Sequence, residues 1–126
     1  MYSCLTLFYI QVRPGLSSFA SDQSGIQVYL KKLIDSAKGL VPKKAHASTP
    51  ILLMATAGLR LLRDKEQRKI LTETRRVLKD KRLCPFKFDD ENAAIISGTQ
   101  EAVYDWVTVN FLKGVFSTND PKVSYF

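Results

Sequence analysis

The sequence predicts an α/β fold, a parallel or mixed sheet with flanking helices, on three observations. A short, continuous apolar run, Ile51-Leu52-Leu53-Met54-Ala55-Thr56, is what a strand buried on both faces needs. Two stretches, about 22–38 and 65–79, repeat apolar residues at helical spacing. Strand-like and helix-like segments then alternate along the chain instead of segregating into halves, which is the α/β pattern.

Taken in order, Leu5 to Val12 mixes aromatic and β-branched residues and suits a strand, which Arg13-Pro14-Gly15 ends. Ser21 and Asp22 supply helix-start chemistry, since their side chains accept bonds from the free amides of a first turn. Ile26, Leu30, Leu33, Ile34 and Ala37 then share a helical face, so a helix is expected over Asp22–Lys38. Gly39 is its stop, and Pro42 prevents continuation. A loop over Pro42–Pro50 leads into the strand Ile51–Thr56, which Ala57-Gly58 breaks. From Lys65 to Lys79, Ile70, Leu71, Thr74, Val77 and Leu78 form one face and basic residues the other. Pro85–Phe88 and Ala93–Ile96 read as two further short strands. Ser97, with Gln100 three residues on, matches a capping box, and a third helix runs to about Gly114 with Val103, Trp106, Val107 and Asn110 on one face. The tail shows no pattern of its own.

The 126 residues fit one domain, and 45% hydrophobic with 25% charged residues excludes the disordered and collagen-like classes. A net charge of +7 raises nucleic-acid or anionic-membrane binding, yet the charge concentrates in the helix around Arg60–Arg82, whose solvent face has to be polar. No zinc-finger spacing, RNA-binding aromatic motif or heptad repeat accompanies it, so no nucleic-acid partner is expected. Cys4 and Cys84 allow one disulfide but no framework, and a single histidine, His46, excludes a His-Cys metal cluster. His46 stands in a polar loop as an exposed spectator. No apolar run reaches the length of a membrane-spanning helix, and the N-terminal residues lack a basic leader.

Two places combine polar groups with suitable architecture. At Thr56-Ala57-Gly58 a buried strand ends, small residues turn and a helix starts; ligands bind at such strand ends, and helix-start amides favour phosphate oxygens. The same turn can simply be tight packing. At Ser97-Gly98-Thr99-Gln100-Glu101, Glu101 is either a carboxylate stabilised by the helix dipole or a general base that deprotonates a water for attack on phosphorus. All six glycines stand singly, so there is no glycine-rich phosphate cradle.

At these residues the chain resembles the GDA1/CD39 family, the apyrases or nucleoside triphosphate diphosphohydrolases. Arg13-Pro14-Gly15-Leu16-Ser17 is similar to a K/R-P-G-L-S stretch of the family. Ala55-Thr56-Ala57-Gly58-Leu59-Arg60 resembles its second conserved region, and Ile96 through Leu112 its third. The resemblance implies part of an actin-like (ribonuclease H-like) lobe and hydrolysis of terminal phosphates of nucleoside di- or triphosphates with Ca2+ or Mg2+. It implies Glu101 as the residue that activates water, Thr56, Ala57 and Gly58 as lining of the water and phosphate site, Trp106 as packing behind it, and Arg60 as structural. It also implies the Golgi or endoplasmic reticulum lumen, or the cell exterior, with membrane attachment only through segments not present here.

The resemblance has gaps. The family's D-A-G-S-S/T loop is expected before Val12 and its D-L-G-G-G-S loop after Gly114, and neither is in these residues. Where the family has glycine after the glutamate, Ala102 adds a methyl group. The expectation is therefore one partial domain over 1–126, ending in an irregular tail over 115–126, inactive alone and without metal ligands of its own. Two alternatives stand beside it: a catalytically inactive isoform acting as an interaction fragment, and a basic nucleic-acid-binding piece.

Overall fold

The computed structural model describes residues 10–115. The strand expected over 5–12 falls mostly outside them, as do Cys4 and the tail from Phe116; residues 10–12 carry no regular structure. After a 3-10 turn at Leu16–Phe19, the chain forms α1 (Ile26–Leu40), a 3-10 segment (Lys43–Ser48), β1 (Leu53–Ala55), α2 (Ala57–Arg60), α3 (Asp64–Lys79), β2 (Ala93–Ile95) and α4 (Gly98–Leu112). The α/β class holds.

Helix α1 starts four residues later than its sequence suggests. The Asp22 carboxylate accepts from the Ser24 amide and hydroxyl, both at 2.9 Å, and makes a local turn instead of a helix cap. At the other end Gly39 stays helical, and the stop falls at Val41, which is extended because it precedes Pro42. The segment expected as a loop winds into the 3-10 segment, and His46 is no exposed spectator. Its Nε2 lies 2.8 Å from the Val41 carbonyl, and its ring packs at 5.0 Å against Phe86. Helix α3 matches its expected span, its start made by a bond from the Arg63 amide to the Glu66 carboxylate at 3.0 Å.

β1 and β2 pair in parallel, with Leu53 opposite Ala93, Met54 opposite Ala94 and Ala55 opposite Ile95. The Ile96 amide continues the ladder to the Ala55 carbonyl at 2.9 Å. The strand expected over Pro85–Phe88 shrinks to a bridge between Pro50 and Lys87, held by the Ile51 amide on the Lys87 carbonyl and the Lys87 amide on the Thr49 carbonyl. Phe86 and Phe88 still alternate with Lys87 and face the core.

That core joins Ile26, Leu30 and Ile34 of α1 to Ile70, Val77 and Leu78 of α3, over Ala55, Ala93, Cys84 and Phe86. Each large aliphatic side chain sealed there contributes about 1.5–3 kcal/mol. One face of the sheet is covered in this way and the other is not. β1 was expected to be buried on both faces, but Leu52 is 56% and Met54 38% exposed. The cause is the layering: residues alternate across a strand, α1 and α3 seal the Leu53–Ala55 face, and no described element covers the Leu52–Met54 face. The β1 edge away from β2 borders a groove of about 470 Å³ lined by Gly15–Ser17 and by Tyr29, Leu30 and Leu33 of α1.

Helix α4 buries none of its residues. Its expected apolar face, Val103, Trp106 and Val107, is exposed, and so are Tyr104, Val109, Phe111 and Leu112 around the rest of the cylinder. Apolar residues on every side of a helix indicate more than one covering neighbour.

Candidate functional site

Parallel pairing carries the C-terminal ends of β1 and β2 to the same side of the molecule, so the two turns singled out in the sequence become neighbours. The turn after β1 is Thr56-Ala57-Gly58. The Thr56 carbonyl accepts from the Leu59 and Arg60 amides at 3.1 and 3.2 Å, while its hydroxyl makes no cap bond to α2. Ala57 and Gly58 are exposed. A methyl group added at Gly58 would stand 3.1 Å from the Ser17 hydroxyl oxygen, so the backbone there is approached closely and glycine is what leaves room.

The turn after β2 is built by the capping box at Ser97. The Gln100 amide donates to the Ser97 hydroxyl at 3.1 Å, and the Ser97 amide donates to the Gln100 side-chain oxygen at 2.9 Å. This fixes the first turn of α4, and the Glu101 amide closes it onto the Ser97 carbonyl at 2.9 Å. Glu101 therefore sits where the helix dipole favours a carboxylate.

Arg60 ties the two turns together. From the end of α2 its Nη1 donates to the Ile96 carbonyl at 2.7 Å, and its Nη2 donates to Glu101 Oε2 at 3.0 Å. The Arg60 and Glu101 side chains are 31% and 37% exposed, half sheltered and still open to solvent. Oε2 is thereby committed, while Oε1 has no hydrogen bond among the described residues. The result is a carboxylate fixed in position with one oxygen presented to a ligand or a water.

Glu101, Arg60, Thr56, Ala57 and Gly58 are thus brought to one end of the parallel pair. Trp106, five residues beyond Glu101, lies roughly 140° around α4 from it and is 42% exposed. Ser17 was not singled out for the site; its place against Gly58 depends on a fold-back across 41 residues that no local pattern announces. Ala102 is exposed.

Among the described residues no three His, Cys, Asp or Glu side chains stand close enough to hold a metal ion. Calcium takes six to eight oxygen ligands and magnesium six, whereas Glu101 offers one carboxylate already engaged by Arg60. The described residues do not by themselves fit the divalent cation that the resemblance implies.

The profile of the GDA1/CD39 (nucleoside phosphatase) family matches residues 6–125. The chain belongs to the GDA1/CD39 family. It is 50% identical over 105 residues to probable apyrase 6 of Arabidopsis thaliana, covering 83% of this chain and 18% of that one. To the apyrase of Solanum tuberosum it is 38% identical over 107 residues, covering 85% and 23%. To the guanosine-diphosphatase of Schizosaccharomyces pombe it is again 38% identical over 107 residues, covering 85% and 19%. This GDA1/CD39 chain spans about a fifth of the length of these relatives. None of its described helices is long and apolar enough to cross a membrane.

Proposed function

We propose that this chain supplies the water-activating part of a site that hydrolyses the terminal phosphate of nucleoside di- and triphosphates, as in an apyrase or nucleoside diphosphatase. The observation that carries this is the Glu101 carboxylate, pinned through Oε2 by Arg60 beside the Thr56-Ala57-Gly58 turn, with Oε1 unengaged among the described residues. Names of relatives that include apyrase and guanosine-diphosphatase support the reaction class.

In the proposed step Glu101 Oε1 accepts a proton from a water as the water oxygen attacks the terminal phosphorus. The bond from phosphorus to the bridging oxygen breaks, and the shortened nucleotide leaves with that oxygen. The Thr56 hydroxyl orients the water, and the Ala57-Gly58 backbone lines the same site, with the Ser17 side chain close against Gly58. Arg60 holds the base in place, and Trp106 packs behind the site. The remaining phosphate contacts and the Ca2+ or Mg2+ ligands come from outside residues 10–115, which form one lobe segment of a longer enzyme. The lumen of the secretory pathway or the cell exterior is the proposed compartment.

Phosphate release from UDP, GDP and ATP, with calcium or magnesium and with chelator, tests the role of Glu101. Metal-dependent release abolished by Glu101→Gln supports it; metal-dependent release unchanged by Glu101→Gln removes it. A second reading, an inactive interaction fragment, is favoured by the uncovered apolar surface of α4. Glu101-dependent turnover by the 126-residue chain would eliminate that reading.

A further inference from the structure

Segment 60–82 holds ten cations and four carboxylates, and so nearly all of the net charge of +7. Most of its cations are accounted for. Arg60 binds Glu101, Arg63 binds Glu66 at 2.6 Å, Arg76 binds Glu73 at 2.6 Å, Lys79 binds Asp90 at 2.7 Å and Arg82 binds Asp80 at 2.8 Å. Arg75 donates to the Ala93 carbonyl, and Lys81 to the Phe86 carbonyl. Lys65, Arg68 and Lys69 are different: all three are exposed, and none has an ion pair or hydrogen bond among the described residues.

These three lie on adjacent turns of α3, at spacings of three and four residues that put them on one face. Two grooves meet along them. One, of about 480 Å³, is closed on its far side by Ser21 and shares Lys65 and Lys69 with the other. The second, of about 380 Å³, adds Arg68, Gln23 and Thr72. The carboxylates bordering the grooves are already neutralised. Arg63 engages both oxygens of Glu66, with Lys69 a weaker neighbour, and Arg76 engages both oxygens of Glu73. What is left facing the grooves is three cations without an ion pair among the described residues, with the Ser21 and Thr72 hydroxyls beside them; the Gln23 amide is spent on the Phe19 and Ala20 carbonyls.

We propose that this face binds a compact anion carrying two or more phosphate groups, at a site separate from the Arg60–Glu101 arrangement. Charge complementarity selects the anion, and concavity selects a compact one: two adjoining grooves suit neighbouring phosphates better than a flat surface would. Among the described residues no aromatic side chain lines either groove, so they offer no stacking platform of the kind that single-stranded nucleic acid uses. The phosphates can come from a free polyphosphate or from a multiply phosphorylated lipid headgroup, which present the same chemistry.

The test titrates the folded 126-residue chain with inorganic tripolyphosphate by calorimetry, and with vesicles of phosphatidylcholine containing phosphatidylinositol bisphosphate by sedimentation. A Lys65→Ser/Lys69→Ser pair, exposed on α3 and outside the core, is compared with a Lys43→Ser/Lys44→Ser pair that removes the same charge elsewhere. The expected result is tripolyphosphate binding that weakens with added salt, falls about tenfold or more in the first pair and is retained in the second. Vesicle binding with the same dependence on Lys65 and Lys69, but no binding of tripolyphosphate, keeps the site and identifies a lipid source. Equal loss in both pairs, or no binding of either probe, overturns the proposal. So does tighter binding of an oligouridylate than of tripolyphosphate, which would make the face a nucleic-acid surface.

Discussion

Replacing Arg60 with alanine removes both ties between the turn after β1 and the start of α4. The bond to the Ile96 carbonyl, 2.7 Å long, has a charged donor and a half-sheltered setting, and contributes about 1.5 kcal/mol. The pair with Glu101 is about a third exposed on each side, so solvent screening reduces it to roughly 0.5 kcal/mol. Together they put the cost of Arg60→Ala near 2 kcal/mol, with the loss concentrated where α4 begins. Arg60→Lys keeps a cation yet cannot span both acceptors, and should lose about half as much. Urea unfolding followed by circular dichroism gives the global value, and hydrogen exchange at the amides of Ile95–Glu101 locates it. Adding salt to the wild type should remove only the smaller, Glu101 part. If Arg60→Ala unfolds within 0.5 kcal/mol of wild type and exchange at Glu101 does not quicken, something other than Arg60 positions the carboxylate.

Three further outcomes are expected. Ile70→Ala, at a fully buried position between α3 and the core, should destabilise the chain by about 2–5 kcal/mol in the same urea assay. Thr74→Val should be neutral or stabilising by about 1 kcal/mol, because the fully buried Thr74 hydroxyl has no hydrogen-bond partner among the described residues and valine keeps its shape. The Asp80 carboxyl is lowered to about 2, first by the Arg82 side chain and then by the Arg82 amide. A depressed carboxyl stabilises above its unfolded value and loses that contribution as pH falls. Asp80→Asn should therefore flatten the acid limb of a stability profile between about pH 4 and 2 and leave the slope above pH 5 unchanged.

What was legible in the sequence was what local chemistry decides. Ser97 and Gln100 are three residues apart, so their reciprocal bonds could be read before any fold was known, and both form. Helix α3 was legible because its apolar and basic faces separate cleanly, and its buried residues are Ile70, Thr74, Val77 and Leu78. The start of α1 was not, since Asp22 can cap a helix or close a turn onto Ser24 with equal local merit. Partners distant in the chain were hidden for a different reason. Arg60 and Glu101 are 41 residues apart, and only the parallel register of β1 on β2 sets them side by side. Likewise nothing near His46 announces Phe86. The uncovered surfaces of β1 and α4 could not be foreseen from periodicity, which marks the residues that seek burial and not what buries them.

The central claim is that Glu101 activates water for nucleotide hydrolysis, and a segment exchange tests it most directly. Residues 12–114 of this chain would replace the matching segment of the Solanum tuberosum apyrase, to which the chain is 38% identical. Phosphate release from nucleoside di- and triphosphates would then be measured with and without Glu101→Gln. The account predicts that the exchanged enzyme turns over and that Glu101→Gln lowers kcat by about 10²–10⁴-fold, the usual contribution of a general base, with a smaller change in KM. A folded exchanged enzyme that releases no phosphate, or one whose Glu101→Gln form keeps the same kcat, would contradict it.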